Sequence, residues 1–227
     1  MGGQADVNLV TARLDVRKAT TPQRETEDGH LGPPRALRDG TLVNSPYITA
    51  LAMEGRVYIS SDADQNDLVT GQGSYADTTP TLMLDVPEGV AAIPLGVFLS
   101  QDGTVAGGEI LVHIEIDHVV RYASGGTSEA VLSSRTDMPI PNACRLYSGA
   151  TAAAGYGILV FGGNFVEDVV PAVADNINWH QFLWTPTVPM FLVGPAALLI
   201  YTYSAAGAGP SYYWNVKWAE IPSSDLE

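Results

Sequence analysis

The 227-residue sequence predicts an all-β fold: an antiparallel two-sheet sandwich of jelly-roll type that follows an extended N-terminal arm. Three observations lead to this prediction. After residue 40, short apolar runs rich in Val, Ile, Tyr, Phe and Trp recur, and clusters of Gly, Pro and Asp separate them. No segment shows a helical period longer than about three turns. No repeat of fixed period is present, which disfavours propellers and solenoids, and a jelly roll accepts the long loops.

Two parts of the chain differ in composition. Residues 1–40 hold six of the eleven basic groups together with six acidic groups, and they are rich in Pro and Gly. No helical or strand period is visible in residues 19–40, so we expect residues 1–40 to be an extended arm. Residues 41–227 are expected to form the β-sandwich. The arm is expected to pack against a neighbouring chain or to wrap around its own domain.

The expected strands follow one another along the domain. The clearest strand is Ile110–Asp117, in which Ile110 and every second residue form an apolar face opposite a polar one. Leu198–Ser204 and Tyr212–Trp218 flank a turn rich in Gly and Ala, which predicts a terminal β-hairpin, and Val166–Val173 could hold a short helical turn. The full set of predicted strand runs is Tyr47–Met53, Arg56–Ser60, Leu82–Val86, Ala91–Ser100, Ile110–Tyr122, Leu146–Ala150, Gly157–Phe165, Asn178–Trp184, Phe191–Tyr203 and Tyr212–Ile221.

Charge and targeting features exclude several classes of protein. The formal net charge of −14 argues against nucleic acid as a partner, because phosphate binding needs clustered Lys and Arg. Cys144 is the only cysteine, so it forms no intramolecular disulfide, and we expect a buried thiol rather than a nucleophile. The N-terminus lacks the basic and apolar regions of a signal peptide. The longest apolar stretch, Val188–Tyr201, is too short to span a membrane, so we expect no membrane partner and synthesis in a cytoplasm.

Three polar side chains on the clearest strand, and a histidine directly after it, raise the question of a metal site. His113, Glu115 and Asp117 share one strand face, and His118 follows them. This spacing would suit a divalent metal in a jelly-roll enzyme of the cupin kind, which needs further histidines from another strand. Elsewhere the chain offers only His30 and His180. We favour the alternative, in which these residues form the solvent-facing side of an amphipathic strand.

An acidic segment resembles the beginning of a calcium-binding loop. Asp62, Asp64 and Asn66 have the D-x-D-x-N spacing of an EF-hand loop. Asp67 stands where that loop requires Gly, and Gly73 stands where it requires Glu. A solvated acidic loop is the favoured interpretation, and a weak calcium site of another type stays open.

Catalytic motifs are missing from the sequence, and the aromatic residues are concentrated near its end. There is no G-x-S-x-G, H-E-x-x-H, P-loop or G-x-G-x-x-G pattern, so we expect a protein that is not an enzyme, with no catalytic, metal or cofactor residue assigned.

For the aromatic residues of the last quarter, we rank a place in the core first, a subunit interface second and a carbohydrate-binding site third. They are Trp179, Trp184, Tyr201, Tyr203, Tyr212, Tyr213, Trp214 and Trp218.

An arm followed by a charge-poor, Gly- and Pro-rich all-β domain resembles the jelly-roll structural proteins of virions, especially the capsid cement or decoration proteins of tailed phages. The resemblance is one of architecture and composition. It implies a homotrimeric knob on the virion, assembled in the host cytoplasm, with an arm that clamps neighbouring shell subunits. The alternatives are a phage tail or receptor-binding component, a carbohydrate-binding β-sandwich, and a jelly-roll metalloenzyme with a metal on His113, Glu115 and Asp117.

Overall fold

The computed structural model describes residues 17–18, 35–36, 46–62, 68–102, 108–137, 139–167, 181–204 and 211–226. Within these ranges the chain forms one α-helix, a short C-terminal 3-10 helix and seventeen strands. Two antiparallel sheets contain most of the strands, and they pack face to face.

The first sheet has seven strands, with main order β10-β3-β17-β6-β14. Two short strands extend it, since β4 pairs with β17 and β15 pairs with β6. All of its pairings are antiparallel. Its strands are β3 (Val57–Ser61), β4 (Val69–Thr70), β6 (Val90–Asp102), β10 (Leu132–Ser133), β14 (Gln181–Trp184), β15 (Leu192–Val193) and β17 (Ser211–Pro222).

The second sheet has six strands in the order β13-β7-β16-β5-β11-β9, also antiparallel throughout. Its strands are β5 (Leu82–Val86), β7 (Gly108–Asp117), β9 (Thr127–Ser128), β11 (Arg145–Ser148), β13 (Ile158–Glu167) and β16 (Ala196–Ser204). Two small pairs stand apart from the sandwich: β8 (Tyr122–Ser124) with β12 (Thr151–Ala152), and β1 (Arg17–Lys18) with β2 (Arg35–Ala36).

The strand order is that of a jelly roll. If the eight principal strands β3, β5, β6, β7, β13, β14, β16 and β17 are counted from one to eight, the first sheet reads 1-8-3-6 and the second reads 5-4-7-2. This arrangement of two Greek keys defines the jelly roll. The predicted fold class, an all-β two-sheet sandwich, is therefore confirmed, and the structure adds the strand order.

The space between the sheets is filled with apolar side chains. On β7 the predicted inward face is confirmed, since Ile110, Val112 and Ile114 are at most 1% exposed. On β17 every second residue from Tyr212 to Trp218 points inward, and a bulge in the pairing with β6 lies between Lys217 and Trp218. The aromatic members of this core are Tyr58, Phe182, Trp184, Tyr212, Trp214 and Trp218.

The outer faces of both sheets are partly covered by the chain itself. Helix α1 (Tyr47–Glu54) packs Leu51 against Ala91, Ile93, Ala219 and Ile221 on the first sheet. On the second sheet, side chains from loops cover Met83, Leu199 and Tyr201. This coverage explains why β6 and β16 read as nearly continuous apolar runs, because both faces of each strand are buried.

The prediction of a strand at Tyr47–Met53 is wrong, because these residues belong to α1. Ile48, Leu51 and Ala52 have the i, i+3, i+4 spacing of a helix face, and all three lie in the apolar cluster on the first sheet. Gly55 ends the helix with φ of 81°, and its N–H reaches the carbonyl of Ala52.

The predicted terminal hairpin is also wrong. β16 pairs with β5 and β7 in the second sheet, whereas β17 pairs with β3, β4 and β6 in the first. The two strands are consecutive in sequence, but each gains two long partners by entering a different sheet. Of the short helical turn expected at Val166–Val173, Val166 and Glu167 belong to β13, and the rest lies outside the described residues.

Only the two short strands of the expected arm are described. β1 and β2 pair with each other in parallel and join neither sheet. The arm at residues 1–40 and the boundary at residue 41 therefore stay predictions. In the part of the chain that the structure describes, no helix is both long enough and apolar enough to cross a membrane.

Candidate functional site

The outer face of the second sheet carries a cluster of polar aromatic and acidic side chains. We call this the outer-face cluster, and it consists of Tyr75, His113, Glu115, Tyr201 and Tyr203. His113 and Glu115 lie on β7, and the register places Tyr201 directly opposite His113. Tyr75 comes from the loop between β4 and β5, and its ring centre lies 5.1 Å from that of Tyr201 and 5.9 Å from that of His113.

Glu115 is the buried acid of the outer-face cluster, with 6% of its surface exposed. The Tyr75 hydroxyl donates to its Oε1 at 3.0 Å, and the Gly157 N–H donates to its Oε2 at 3.3 Å. A Cβ at residue 157 would lie 2.8 Å from the Ile116 carbonyl oxygen, so this approach requires glycine. Burial, followed by the hydrogen bond to Glu115, raises the pKa of the Tyr75 hydroxyl well above its usual range. Tyr75 therefore stays a neutral donor, and both carboxylate oxygens of Glu115 are used within the chain.

A buried arginine lies beside the outer-face cluster. Arg121 is 1% exposed, and its guanidinium pairs with Asp117 Oδ2 at 2.7 Å. The remaining donors reach the carbonyls of Ala153 at 2.8 Å, Gly155 at 2.7 Å and Asp77 at 3.2 Å. Arg121 thus ties two loops, the one containing Asp77 and the one containing residues 153–155, to the end of β7.

Asp77 reinforces the same arrangement. Its Oδ2 accepts the Gly155 N–H at 2.8 Å, and its carbonyl accepts the Tyr201 hydroxyl at 2.9 Å. Burial is the main cause that raises the pKa of Tyr201, so this tyrosine also stays protonated. The groups around Asp77 therefore act together to hold the loops over the sheet.

The structure brings His113, Glu115 and Asp117 onto one face of β7, as the spacing predicts. The favoured interpretation of a solvent face is wrong for Glu115, because the loop that carries Tyr75 covers it. The Nε2 atom of His113 lies 3.3 Å from the Tyr203 hydroxyl oxygen, and the Asp117 carboxylate pairs with Arg121. Across the described ranges, no three His, Cys, Asp or Glu side chains form a group that could hold a metal. His30 and His180 lie outside those ranges.

Of the acidic segment Asp62, Asp64 and Asn66, only Asp62 is described, directly after β3. The calcium-loop hypothesis concerning Asp64 and Asn66 lies outside the described residues.

The interpretation of the C-terminal aromatic residues as core is confirmed for most of those that the structure describes. Trp184, Trp214 and Trp218 are at most 7% exposed, and Tyr212 is fully buried. Tyr213, which points the other way on β17, is 38% exposed. Trp179 lies outside the described residues. The exposed tryptophans that would favour a sugar-binding surface are thus not among those described.

A second buried acid, Glu220, was not singled out from the sequence. Its Oε1 accepts the Trp218 Nε1–H at 2.8 Å and the Cys144 N–H at 3.1 Å, and its Oε2 accepts the Ala143 N–H at 2.7 Å. Burial and the nearby Glu220 raise the pKa of the Cys144 thiol far above its usual range. The prediction of a buried, unreactive Cys144 agrees with this environment. Only the tertiary fold brings these residues together, so no local sequence signal could have identified them.

Comparison of the chain with protein-family models, curated proteins and solved structures found no match. The polar clusters described above share one property: their hydrogen bonds join loops to strands. These hydrogen bonds hold the loops against the sheets.

Proposed function

We propose that the chain is a non-enzymatic structural protein of a virion, a capsid cement or decoration protein of the tailed-phage type. Its β-domain would form an outward knob as a homotrimer, and its N-terminal arm would clamp neighbouring shell subunits. The observation that carries the proposal is the complete jelly roll within residues 57–222. Among the described residues, neither sheet contains a strand from residues 1–40.

The N-terminal segment differs in charge from the rest of the chain. It carries six of the eleven basic groups, whereas the rest of the chain has five basic groups against nineteen acidic ones. A segment with both signs of charge can pair with both signs on a shell. Each exposed pair contributes little, so affinity must come from contact area and from many copies binding together.

The construction of the sandwich also favours a structural role over the metalloenzyme alternative. An enzyme that uses the interior of a jelly roll needs a cavity lined by its polar ligands. Here the interior is packed with the rings of Tyr58, Trp214 and Trp218, and His113 and Glu115 point away from it. The carbohydrate-binding alternative has less support, because the three described tryptophans are buried.

A sedimentation assay tests the proposal. Purified full-length protein and a variant that lacks residues 1–40 are mixed separately with shells of the encoding virus prepared without this protein. The proposal expects the full-length protein to sediment with the shells and the shortened variant to stay in the supernatant. Circular dichroism checks that the variant is folded. Equal sedimentation of both proteins would refute the arm, and no sedimentation of either would refute the cement role.

A further inference from the structure

One edge of the first sheet exposes an unusual number of large apolar side chains. We call it the uncharged edge, and it comprises residues 181–193, which form β14, β15 and the loop between them. Leu183 and Val188 are 67% and 68% exposed, and Phe191 and Val193 are 43% and 48% exposed. β14 and β15 both pair with β6, so these residues follow one side of a single long strand.

Apolar residues scattered singly over a surface need no explanation, but a contiguous group marks an interaction site. Along β14 the alternate residues Phe182 and Trp184 point into the core, while Leu183 faces outward. In the register, Leu183 lies opposite Phe98 of β6, which is itself only partly buried. The apolar surface therefore continues from the edge onto the outer face of the sheet.

The uncharged edge stands out because of what it lacks. Residues 181–210 contain no charged side chain, and neither do residues 90–101 of β6, against which the edge packs. The whole chain carries a net charge of −14. Two copies of such a protein repel each other over most of their surfaces. They approach each other at the lowest electrostatic cost where neither copy carries charge.

Other exposed apolar groups meet this condition less fully. On the opposite edge of the same sheet, Leu132 is 71% exposed but lies between Glu129 and Arg135 in the sequence. On the second sheet, Tyr156, Ile158 and Leu159 are 83%, 57% and 53% exposed, and they lie beside the polar outer-face cluster, since Leu159 pairs in register with Glu115. Among the described residues, the uncharged edge has the most large exposed apolar side chains in one stretch free of charge, four against three in residues 146–166.

We infer that the uncharged edge is the surface through which copies of this chain associate, so that its occupant is a second copy of the chain. A charged partner such as a shell would gain no electrostatic complementarity here, whereas an identical acidic chain loses its main source of repulsion. The inference rests on the proposed function in one respect: the uncharged edge would form the contact between the copies of the trimeric knob.

Light scattering behind a sizing column tests the inference on the full chain at micromolar concentration. The wild type is expected to have the mass of two or more chains of 24.0 kDa each. The single variants Leu183→Asp and Val188→Asp are each expected to shift the mass toward one chain. An unpaired carboxylate in an apolar contact should weaken association by about 100-fold.

Leu132→Asp is the matched control, because it places the same charge on an equally exposed apolar residue of the same sheet. It is expected to keep the wild-type mass. A monomeric wild type, or a Val188→Asp variant with the wild-type mass, would overturn the inference. Should Leu183→Asp fail to fold by circular dichroism, Val188→Asp decides, since its side chain lies in a loop. Shell binding is measured in the separate sedimentation assay. The protein can therefore self-associate without binding shells, or bind shells without self-associating, and the two proposals fail independently.

Discussion

Replacing Arg121 with Met should destabilise the sandwich more than any change to an exposed charge. Arg121 is 1% exposed, and its guanidinium reaches four partners, the Asp117 carboxylate and the carbonyls of Asp77, Ala153 and Gly155. Met keeps most of the apolar volume but removes every donor. The substitution therefore removes the arginine donors from the Asp117 carboxylate and from the carbonyls of Ala153 and Gly155, whereas the Asp77 carbonyl keeps the Tyr201 hydroxyl.

The expected loss follows from these contacts. Breaking a buried ion pair by removing one partner costs about 3–5 kcal/mol, and a buried carbonyl left unpaired costs about 1–3 kcal/mol. The Asp117 side chain is 17% exposed, so water would satisfy part of what is lost. We expect a total of about 3–5 kcal/mol in the free energy of unfolding. For a domain of this size that lowers Tm by roughly 10 °C.

Urea unfolding followed by tryptophan fluorescence measures this loss, because Trp214 and Trp218 are buried. Lys217→Met is the control, since it removes the same charge from an exposed position and should change stability by less than about 0.5 kcal/mol. A loss below about 1 kcal/mol for Arg121→Met would refute the role assigned to Arg121 in holding the loops.

Three further predictions concern the acids and the thiol. Glu220→Gln should lower the free energy of unfolding, measured in urea, by about 1–3 kcal/mol. An amide NH2 would then face a backbone N–H that donates to a carboxylate oxygen in the wild type. An unchanged urea midpoint would contradict these hydrogen bonds. Burial, partly offset by Arg145, raises the pKa of Asp85, so its protonation favours the folded state, and this stabilisation is lost as pH rises through the raised value. Asp85→Asn should therefore raise Tm near neutral pH, with the difference shrinking below about pH 3, where both forms are neutral; a lower Tm at neutral pH would argue against it. Cys144 should resist a thiol reagent in the native protein and react with one equivalent after unfolding, and fast native labelling would show that it is accessible.

The regular strands were the most predictable part of the fold. Strand β7 is recognisable in the sequence from Ile110, Val112 and Ile114, because one buried face imposes a period of two on the sequence. Helix α1 was missed because its eight residues give barely two turns, and only Ile48, Leu51 and Ala52 mark its buried face. In short runs of this kind, periodicity separates helix from strand poorly.

Long-range pairings were less predictable. The sequence places β16 and β17 next to each other, yet the jelly roll sends them to different sheets, because each finds two long partners there. The burial of Glu115 depends on Tyr75, which lies 40 residues earlier in the chain. No local pattern reports such a contact, and so a strand face with three polar residues was expected to face solvent.

The most direct test of the proposed role is quantitative mass spectrometry of virus particles purified on a density gradient from the source that encodes the chain. The cement role predicts that the protein bands with genome-filled particles in a fixed copy number relative to the shell subunit, and that this copy number is a multiple of three. A protein that stays in the soluble fraction and is missing from the particles would contradict it.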